Sequence, residues 1–291
     1  MFGLLLVVLL ASCRSAPAPT TPVGSEQTLD AVTLNLWHDR SDWPRRQALI
    51  VEELRRLQPD VILLQEVLQD AGLPNQAGSL AAQLGYQWYF VSADPPDRVR
   101  RYGNAILTRQ APLARGGRLL QPLDDYRVAG WVRFESHGRA VTVYVAHLNF
   151  TDTSGAVRAK QVSDLLSLIE ATHGDAPVVI GGDFNTTADS DELVSLRARY
   201  HDAYVAANGV ENSDGPASVT LNPHYHPQAR RIDHVFAQTS AFRVVQARRI
   251  LDEPAPGPIW ASDHFGVWVR LRFEATNQTG RAGSPSPGVN R

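Results

Sequence analysis

Cysteine occurs once among 291 residues, at Cys13, so no intrachain disulfide can form and no cysteine cluster can hold a metal. Charge of one sign is equally scarce. The formal net charge is −2 and the pI is near 6.5, so any grip on a polyanion has to come from a local patch rather than from overall attraction. Long apolar runs are missing too: the stretch from Phe2 to Leu10 falls well short of the ~20 residues that a membrane-spanning helix needs. What remains is ordinary globular composition, 43% hydrophobic and 20% charged, enough for a sizeable core. No internal repeat or low-complexity linker breaks residues 29–274, which read as one domain of roughly 245 residues.

The two ends differ from this middle. Residues 1–13 carry the short apolar run into Leu10, Ala11, Ser12 and Cys13, a pattern that resembles a bacterial lipoprotein signal with Cys13 as the acylated residue. One departure is that no Lys or Arg precedes the run, which points to a start site upstream of Met1. Residues 14–28 are rich in Pro, Ala, Ser and Thr and read as a flexible tether; residues 275–291 lack periodicity and apolar mass and read as a disordered tail. The expected location is therefore the cell envelope, lipid-anchored on the periplasmic side or outer surface, or secreted, with membrane contact through Cys13.

Within the domain, short runs rich in β-branched and aromatic residues recur: AVTLNLW, DVILLQEV, YGNAILT, AVTVYVAHLNF, PVVIGGDF, RIDHVFA and HFGVWVRLRF. Their composition predicts strands. Ile50, Leu54 and Leu57 after Pro44 predict one amphipathic helix, and Val162, Leu165, Leu166 and Ile169 a second. Gly85 after Ser79–Leu84 marks the end of a third, shorter one. Several strands lie too close in sequence for helical crossovers, which implies an α+β sandwich with helices outside.

Polar residues embedded in these apolar strands need a reason, because an unpaired buried carboxylate or amide costs several kcal/mol on the order of. Asn35 follows AVTL, Glu66 follows DVILLQ and His147 follows VTVYVA; Asp183 and Asn185 follow VVIGG, while Asp233, Asp263 and His264 sit in RRIDHVF and ASDHFGV. Taken singly, each reads equally well as a turn former or cap. In order, however, NLW, QEV, AHL, GGDFN, RID and SDH resemble the endonuclease/exonuclease/phosphatase superfamily, which includes deoxyribonuclease I, abasic endonucleases, bacterial sphingomyelinases and inositol polyphosphate 5-phosphatases.

That resemblance implies a four-layer α/β/β/α sandwich with two mixed β-sheets, deoxyribonuclease I-like, and a divalent-metal-dependent phosphoesterase. It implies Glu66, Asn35 and Asp263 as metal ligands and His264 as general base oriented by Asp233. Asp183 would position the attacking water, Asn185 would bind phosphate oxygens, and His147 would protonate the leaving oxygen. The residue types suit the chemistry, since a cation must neutralise an anionic ester while an imidazole takes the proton. Carboxylates ~4 Å apart would repel by ~4 kcal/mol per pair at an effective dielectric of about 20. Oxygen ligands favour Mg2+, with Mn2+ or Ca2+ as further possibilities. Two departures from the family pattern stand out: His234 follows RID where Tyr or Phe is usual, and Trp37 replaces the second acid of abasic endonucleases.

Arginines offer grips for substrate phosphate. Arg98, Arg100, Arg101 and Arg109 flank YGNAIL, Arg101 being the candidate substrate contact there, although pairing with Asp94 and Asp97 is an equal reading. Arg230 and Arg231 precede Ile232 close to Asp233 and could also grip phosphate, Arg231 being the second candidate substrate contact. Trp37, Trp43, Tyr86 and Trp88 read as core rather than as base-stacking platforms, and His224, Tyr225 and His226 as a solvated turn or as metal donors. The expected substrate is a phosphodiester, either nucleic acid or a phospholipid headgroup, acted on by a monomer. The competing readings are a phosphomonoesterase on inositol or sugar phosphates and a non-catalytic binding module on the same scaffold.

Overall fold

The structure, a computed structural model, describes residues 27–209 and 215–274. Cys13 and the predicted tail lie outside those residues. Among the described residues, no helix is long and apolar enough to cross a membrane.

In chain order the strands are β1 (Thr28–Asn35), β2 (Val61–Gln69), β3 (Gln87–Ser92), β4 (Arg101–Thr108), β5 (Pro112–Leu119), β6 (Val128–Ser136), β7 (Arg139–His147), β8 (Val178–Asp183), β9 (Tyr200–Asp202), β10 (Asp233–Gln238), β11 (Phe242–Ile250) and β12 (Gly266–Phe273). The helices are α1 (Trp43–Leu57), α2 (Gln76–Leu84), α3 (Ala156–Thr172), and the short α4 (Val194–Arg197) and α5 (Ala203–Asn208). All seven predicted strands and three predicted helices are present. β1 begins at Thr28, one residue inside the stretch read as tether, and ends at Asn35 rather than at Trp37, because Trp37 and His38 turn into the left-handed region.

Two six-stranded sheets form, in the orders β11-β12-β1-β2-β4-β3 and β5-β6-β7-β8-β10-β9. Both are mixed: β1 runs parallel to β2 and β7 to β8, while the remaining named pairings are antiparallel. The inner strands are buried on both faces, which explains their near-continuous apolar runs. In β1, Leu29 and Ala31 face the opposing sheet with Val143, Val179 and Val235, whereas Val32 and Leu34 face outward. There they meet Ile50 and Leu54 of α1 and Leu80 of α2. On the far side, Val162, Leu165 and Ile169 of α3 cover Tyr144, Ile180 and Phe236. Three hydrophobic layers thus separate four structural ones, the predicted α/β/β/α sandwich.

Local chemistry sets the boundaries. Asp42 caps α1 by accepting the Arg45 N–H, Pro44 suits the first turn, and Gly85 ends α2 at φ 77°. Gly182, in the GGDF run, lies so close to the Ala146 carbonyl that any Cβ would collide with it. Only glycine lets β8 approach β7 in register at that rung.

Candidate active site

Strand register does most of the assembly. Parallel pairing sets His147 beside Asp183, and antiparallel pairing sets Asp233 on the other side of Asp183. Residues directly opposite on neighbouring strands share a face, so one end of this sheet carries three ionisable side chains in a row. His264 comes from the other sheet. Ser262 Oγ donates to the Asn35 carbonyl at 2.7 Å and accepts the His264 N–H at 3.2 Å, fixing the segment before β12 against the end of β1.

From that position His264 Nδ1 donates to Asp233 Oδ2 at 2.8 Å, and its Nε2 faces Asp183 Oδ2 at 3.9 Å. His147 Nε2 reaches the same Asp183 oxygen at 3.5 Å. Asn35 donates to Asp183 Oδ2 at 3.1 Å, while Asp183 Oδ1 accepts the Asn185 N–H at 2.9 Å. Asp183 is therefore the hub of the group. Glu66 borders the same cleft, of about 520 Å³, from β2. It sits at φ 54° where the pairing register between β2 and β4 shifts. Such a backbone is strained for a residue with a Cβ, and the local irregularity turns Glu66 toward the cleft. Asn185 is likewise left-handed at φ 53°, which asparagine tolerates.

Burial and crowding of charge shift the titrations. For His264, burial opposes the charged form, but the neighbouring Asp233, then Asp183 and Asp263, overcome it and push the imidazole up to about 10. Asp183 is raised well above the usual carboxylate range by burial and by the charge of Asp233. His147 goes the other way: burial, then the charges of Arg127 and His264, hold it well below its ordinary value and keep it neutral. Burial raises the Tyr102 hydroxyl, and the charge of Glu66 adds to that shift.

The donor set fits a hard divalent cation. Asp233 Oδ1 is buried without a hydrogen-bond partner, and Asp183, Asp233 and His264 offer donor atoms within 4.8 Å of one another. With Glu66 on the same cleft, the oxygens outnumber the cationic groups that could balance them, a setting that a bound cation relieves.

Of the candidate residues, Glu66, His147, Asp183, Asn185, Asp263 and His264 all line the cleft. Asn35 stands behind Asp183, with its own amide oxygen accepting the Trp37 N–H at 2.9 Å, so it touches the site through that carboxylate. The two arginine expectations are corrected. Arg231 is fully buried, paired with Asp202 at 2.8 Å and within 2.7 Å of His234, so it cannot meet a substrate. Its exposed neighbour Arg230 borders the cleft instead. Arg101 stacks over Phe90 at 5.0 Å and borders a separate hollow with Phe90 and Gly117. Trp43 and Tyr86 are core as expected, whereas Trp88 is substantially exposed.

Sequence reasoning missed Tyr126, Arg127 and Phe150, which border the cleft from loops. Tyr126 and Phe150 are 74% and 68% exposed, and the Arg127 guanidinium lies 5.6 Å over the Phe150 ring. Asp125, from the same turn, accepts Asn149 Nδ2 at 2.7 Å and Gln161 Nε2 at 2.6 Å, tying that loop to α3. The one available signal was position: Phe150 lies three residues beyond His147.

Comparison with known proteins gives a consistent picture. A model of the Endonuclease/Exonuclease/phosphatase family matches residues 32–264. Nocturnin of Drosophila melanogaster is 27% identical over 288 residues, covering 82% of this chain and 43% of that protein. The chain spans about half the length of the curated relatives it first matches. The human Nocturnin catalytic domain, solved with a bound sulfate anion, has TM-score 0.68 at 23% identity, covering 85% of this chain and 94% of the other. D. rerio TDP2, solved with a single-strand DNA product, has TM-score 0.69 at 17% identity, covering 84% and 99%. At those identities the two structures establish a shared fold.

Proposed function

The chain belongs to the Endonuclease/Exonuclease/phosphatase family, and from that premise we propose that it hydrolyses phosphodiesters with a divalent cation, Mg2+, at Glu66. The carrying observation is the convergence of Glu66, Asp183, Asn185 and the Asp233–His264 pair on one cleft. Bound at Glu66, the cation would neutralise phosphate oxygens that otherwise repel a nucleophile. Asp183 Oδ2 and His264 Nε2, 3.9 Å apart, would both hydrogen-bond an attacking water lodged in front of the pair. With a bound cation taking over the balancing of Asp183 and Asp233, His264 would be left neutral; as the water oxygen then bonds to phosphorus, its proton passes to the free Nε2, and Asp233 steadies the imidazolium through Nδ1. The bond to the leaving oxygen breaks in the same displacement. That oxygen carries away the electron pair and takes a proton from solvent, while His264 later returns its own proton to solvent. Asn185 faces the non-bridging oxygens. His147, kept neutral, donates its ring N–H as a hydrogen bond to phosphate oxygen rather than releasing a proton, a role different from the acid expected from sequence.

The rim favours nucleic acid as the ester. Tyr126 and Phe150 present planar faces beside the reacting groups, and Arg127 and Arg230 add two cations. That combination suits a base next to a scissile phosphate better than it suits a compact polyphosphate. D. rerio TDP2 with its single-strand DNA product supports this choice by analogy. The test is a Mg2+ panel of single-stranded oligonucleotide, plasmid DNA, RNA, sphingomyelin, phosphatidylcholine and inositol phosphates. Oligonucleotide turnover that EDTA abolishes is expected; turnover indifferent to EDTA, or confined to monoesters, overturns the reading. We also propose that Cys13 is acylated and holds the enzyme at the envelope, supported by the apolar run before it. Cys13→Ser should release the protein from membranes, and unchanged fractionation would sink the proposal.

A further inference from the structure

Beside the Glu66 region lies a second group of donors, different in chemistry. His226 ends a turn that is well fixed: the Asn222 N–H donates to the Asp263 carbonyl at 2.9 Å, and the Tyr225 and His226 N–H groups donate to the Asn222 carbonyl at 3.0 Å each. The turn brings His226 Nε2 to 3.1 Å from Asp263 Oδ2. Asp263 Oδ1 faces Ser262 Oγ at 3.4 Å, so the Asp263 carboxylate is shared between that hydroxyl and His226. One donor atom from each of His226, Asp263 and His264 lies within 4.8 Å of the others.

The geometry of a tetrahedral ion fits this triangle. With zinc–ligand distances of about 2.0–2.1 Å, ligand atoms stand ~3.3 Å apart. The His226–Asp263 edge already has nearly that length, and the side-chain shift needed to close the triangle on His264 is on the order of an ångström. His264 is prepared for the role by the Asp233 carboxylate on its far nitrogen at 2.8 Å, the arrangement that orients a metal-bound imidazole and raises its basicity. The side chain of His226 is 35% exposed at the cleft, which gives an ion a path in and leaves the fourth position to water. Two imidazoles and a carboxylate favour a borderline ion, whereas an all-oxygen set favours Mg2+.

We propose that His226, Asp263 and His264 form a second cation site, in the same cleft as the oxygen-rich one at Glu66 and drawing Asp263 from the ligand set the resemblance implied there, that takes Zn2+ or a similar borderline ion and switches hydrolysis off. The switching half rests on the function proposed above, because the ion would occupy the Nε2 lone pair that accepts the proton of water. The binding half does not depend on it.

The experiment uses the full chain in excess Mg2+. Zn2+ binding is followed by calorimetry, and Co2+ binding by its visible absorption, for wild type, His226→Gln, His226→Asn and Glu66→Gln. Both His226 variants should lose at least tenfold in Zn2+ and Co2+ affinity, keep Mg2+-dependent turnover within about twofold and resist Zn2+ inhibition; Glu66→Gln should bind Zn2+ as wild type does. Circular dichroism checks that each variant is folded. Equal Zn2+ affinity in the His226 variants, or loss of Zn2+ binding in Glu66→Gln, overturns the site. Lost binding with unchanged inhibition overturns the switch. If Zn2+ binds through His226 but no phosphodiester is turned over by the Mg2+-loaded protein, the hydrolase reading fails and the site stands.

Discussion

Asp183 and Asp233 face each other across a single antiparallel rung between β8 and β10, and both lie against the imidazole of His264. Two buried carboxylates so placed cannot both remain ionised cheaply without a positive partner. The imidazolium is that partner in the free protein, and this links the stability of the site to its chemistry.

Asp233→Asn should test the link directly. The amide keeps the shape but not the charge, so the His264 ring loses its tautomer and its stabilised imidazolium. Turnover should fall by roughly 10²–10⁴ with KM little changed, as for other acid–base pairs held by a buried carboxylate. Steady-state kinetics on an oligonucleotide, with circular dichroism to confirm the fold, would measure it. Wild-type turnover would remove His264 from the reaction.

Stability against pH provides a second measurement. The folded-state value of His264 is raised from 6.5 to about 10 by its acidic neighbours, against the opposing effect of burial. A raised value means that the folded state holds the proton more tightly, so the contribution is complete below pH 6.5 and fades as pH rises toward 10. In EDTA, wild type should melt a few degrees above His264→Gln at pH 6, on the order of 2–4 °C per kcal/mol, and the gap should shrink by pH 10. A gap that widens with pH would refute the assignment.

Glu66→Gln should separate cation binding from base chemistry. The carboxylate is turned into the cleft by an irregular strand and leaves the Asp233–His264 hydrogen bond untouched. Mg2+ affinity, read by calorimetry, should drop on the order of 10²-fold, with turnover falling in parallel at fixed Mg2+. Undiminished affinity would move the cation elsewhere.

Much of this arrangement was legible in the sequence because the central strands are buried on both faces, so a polar residue at a strand end announces itself. That drew attention to Glu66, His147, Asp183 and His264, but each alone was equally a cap or turn former, and their roles came from the ordered series QEV, AHL, GGDFN and SDH and its family resemblance. Edge strands were not: β5 alternates between half-covered and exposed residues and contains a Gly-Gly pair, and the periodicity of β11 is broken by a bulge near Val244. Tyr126, Arg127 and Phe150 were hidden because loop residues follow no period, and ties between distant segments, among them Asp125 to Asn149 and Gln161, bring them to the cleft. Arg231 misled because closeness in sequence to Asp233 does not fix a side chain's direction: neighbours on a strand point to opposite faces, but Arg231 lies before β10, where that rule lapses.

The aromatic rim should govern affinity rather than rate. Tyr126 and Phe150 are exposed, so truncation should change stability by less than about 0.5 kcal/mol. If each stacks on a base, Tyr126→Ala and Phe150→Ala should raise KM for an oligonucleotide roughly tenfold, the scale of ~1–3 kcal/mol per stacked base, and leave kcat near wild type. A dinucleotide-sized substrate should show a smaller effect. Unchanged KM on oligonucleotides would exclude the rim from substrate binding.

Arg230 and Arg231 are adjacent in the chain and should behave in opposite ways. Arg231 is enclosed with Asp202 and His234; burial raises the Asp202 carboxyl, but His234 and Arg231 outweigh it and hold that carboxyl well below its usual range. Arg231→Met removes the cation but leaves Asp202 buried, a change that costs about 3–5 kcal/mol when a buried pair is broken. At roughly 2–4 °C per kcal/mol, melting should fall by about 10 °C, while KM of the folded fraction stays put. Arg230→Ala, at the cleft edge, should leave melting unchanged and raise KM roughly tenfold, the loss of one charge-assisted hydrogen bond to phosphate. Scanning calorimetry and kinetics on both variants decide it: the reverse pattern would mean that Arg231 reaches substrate after all and that the buried triad is a resting arrangement which substrate displaces.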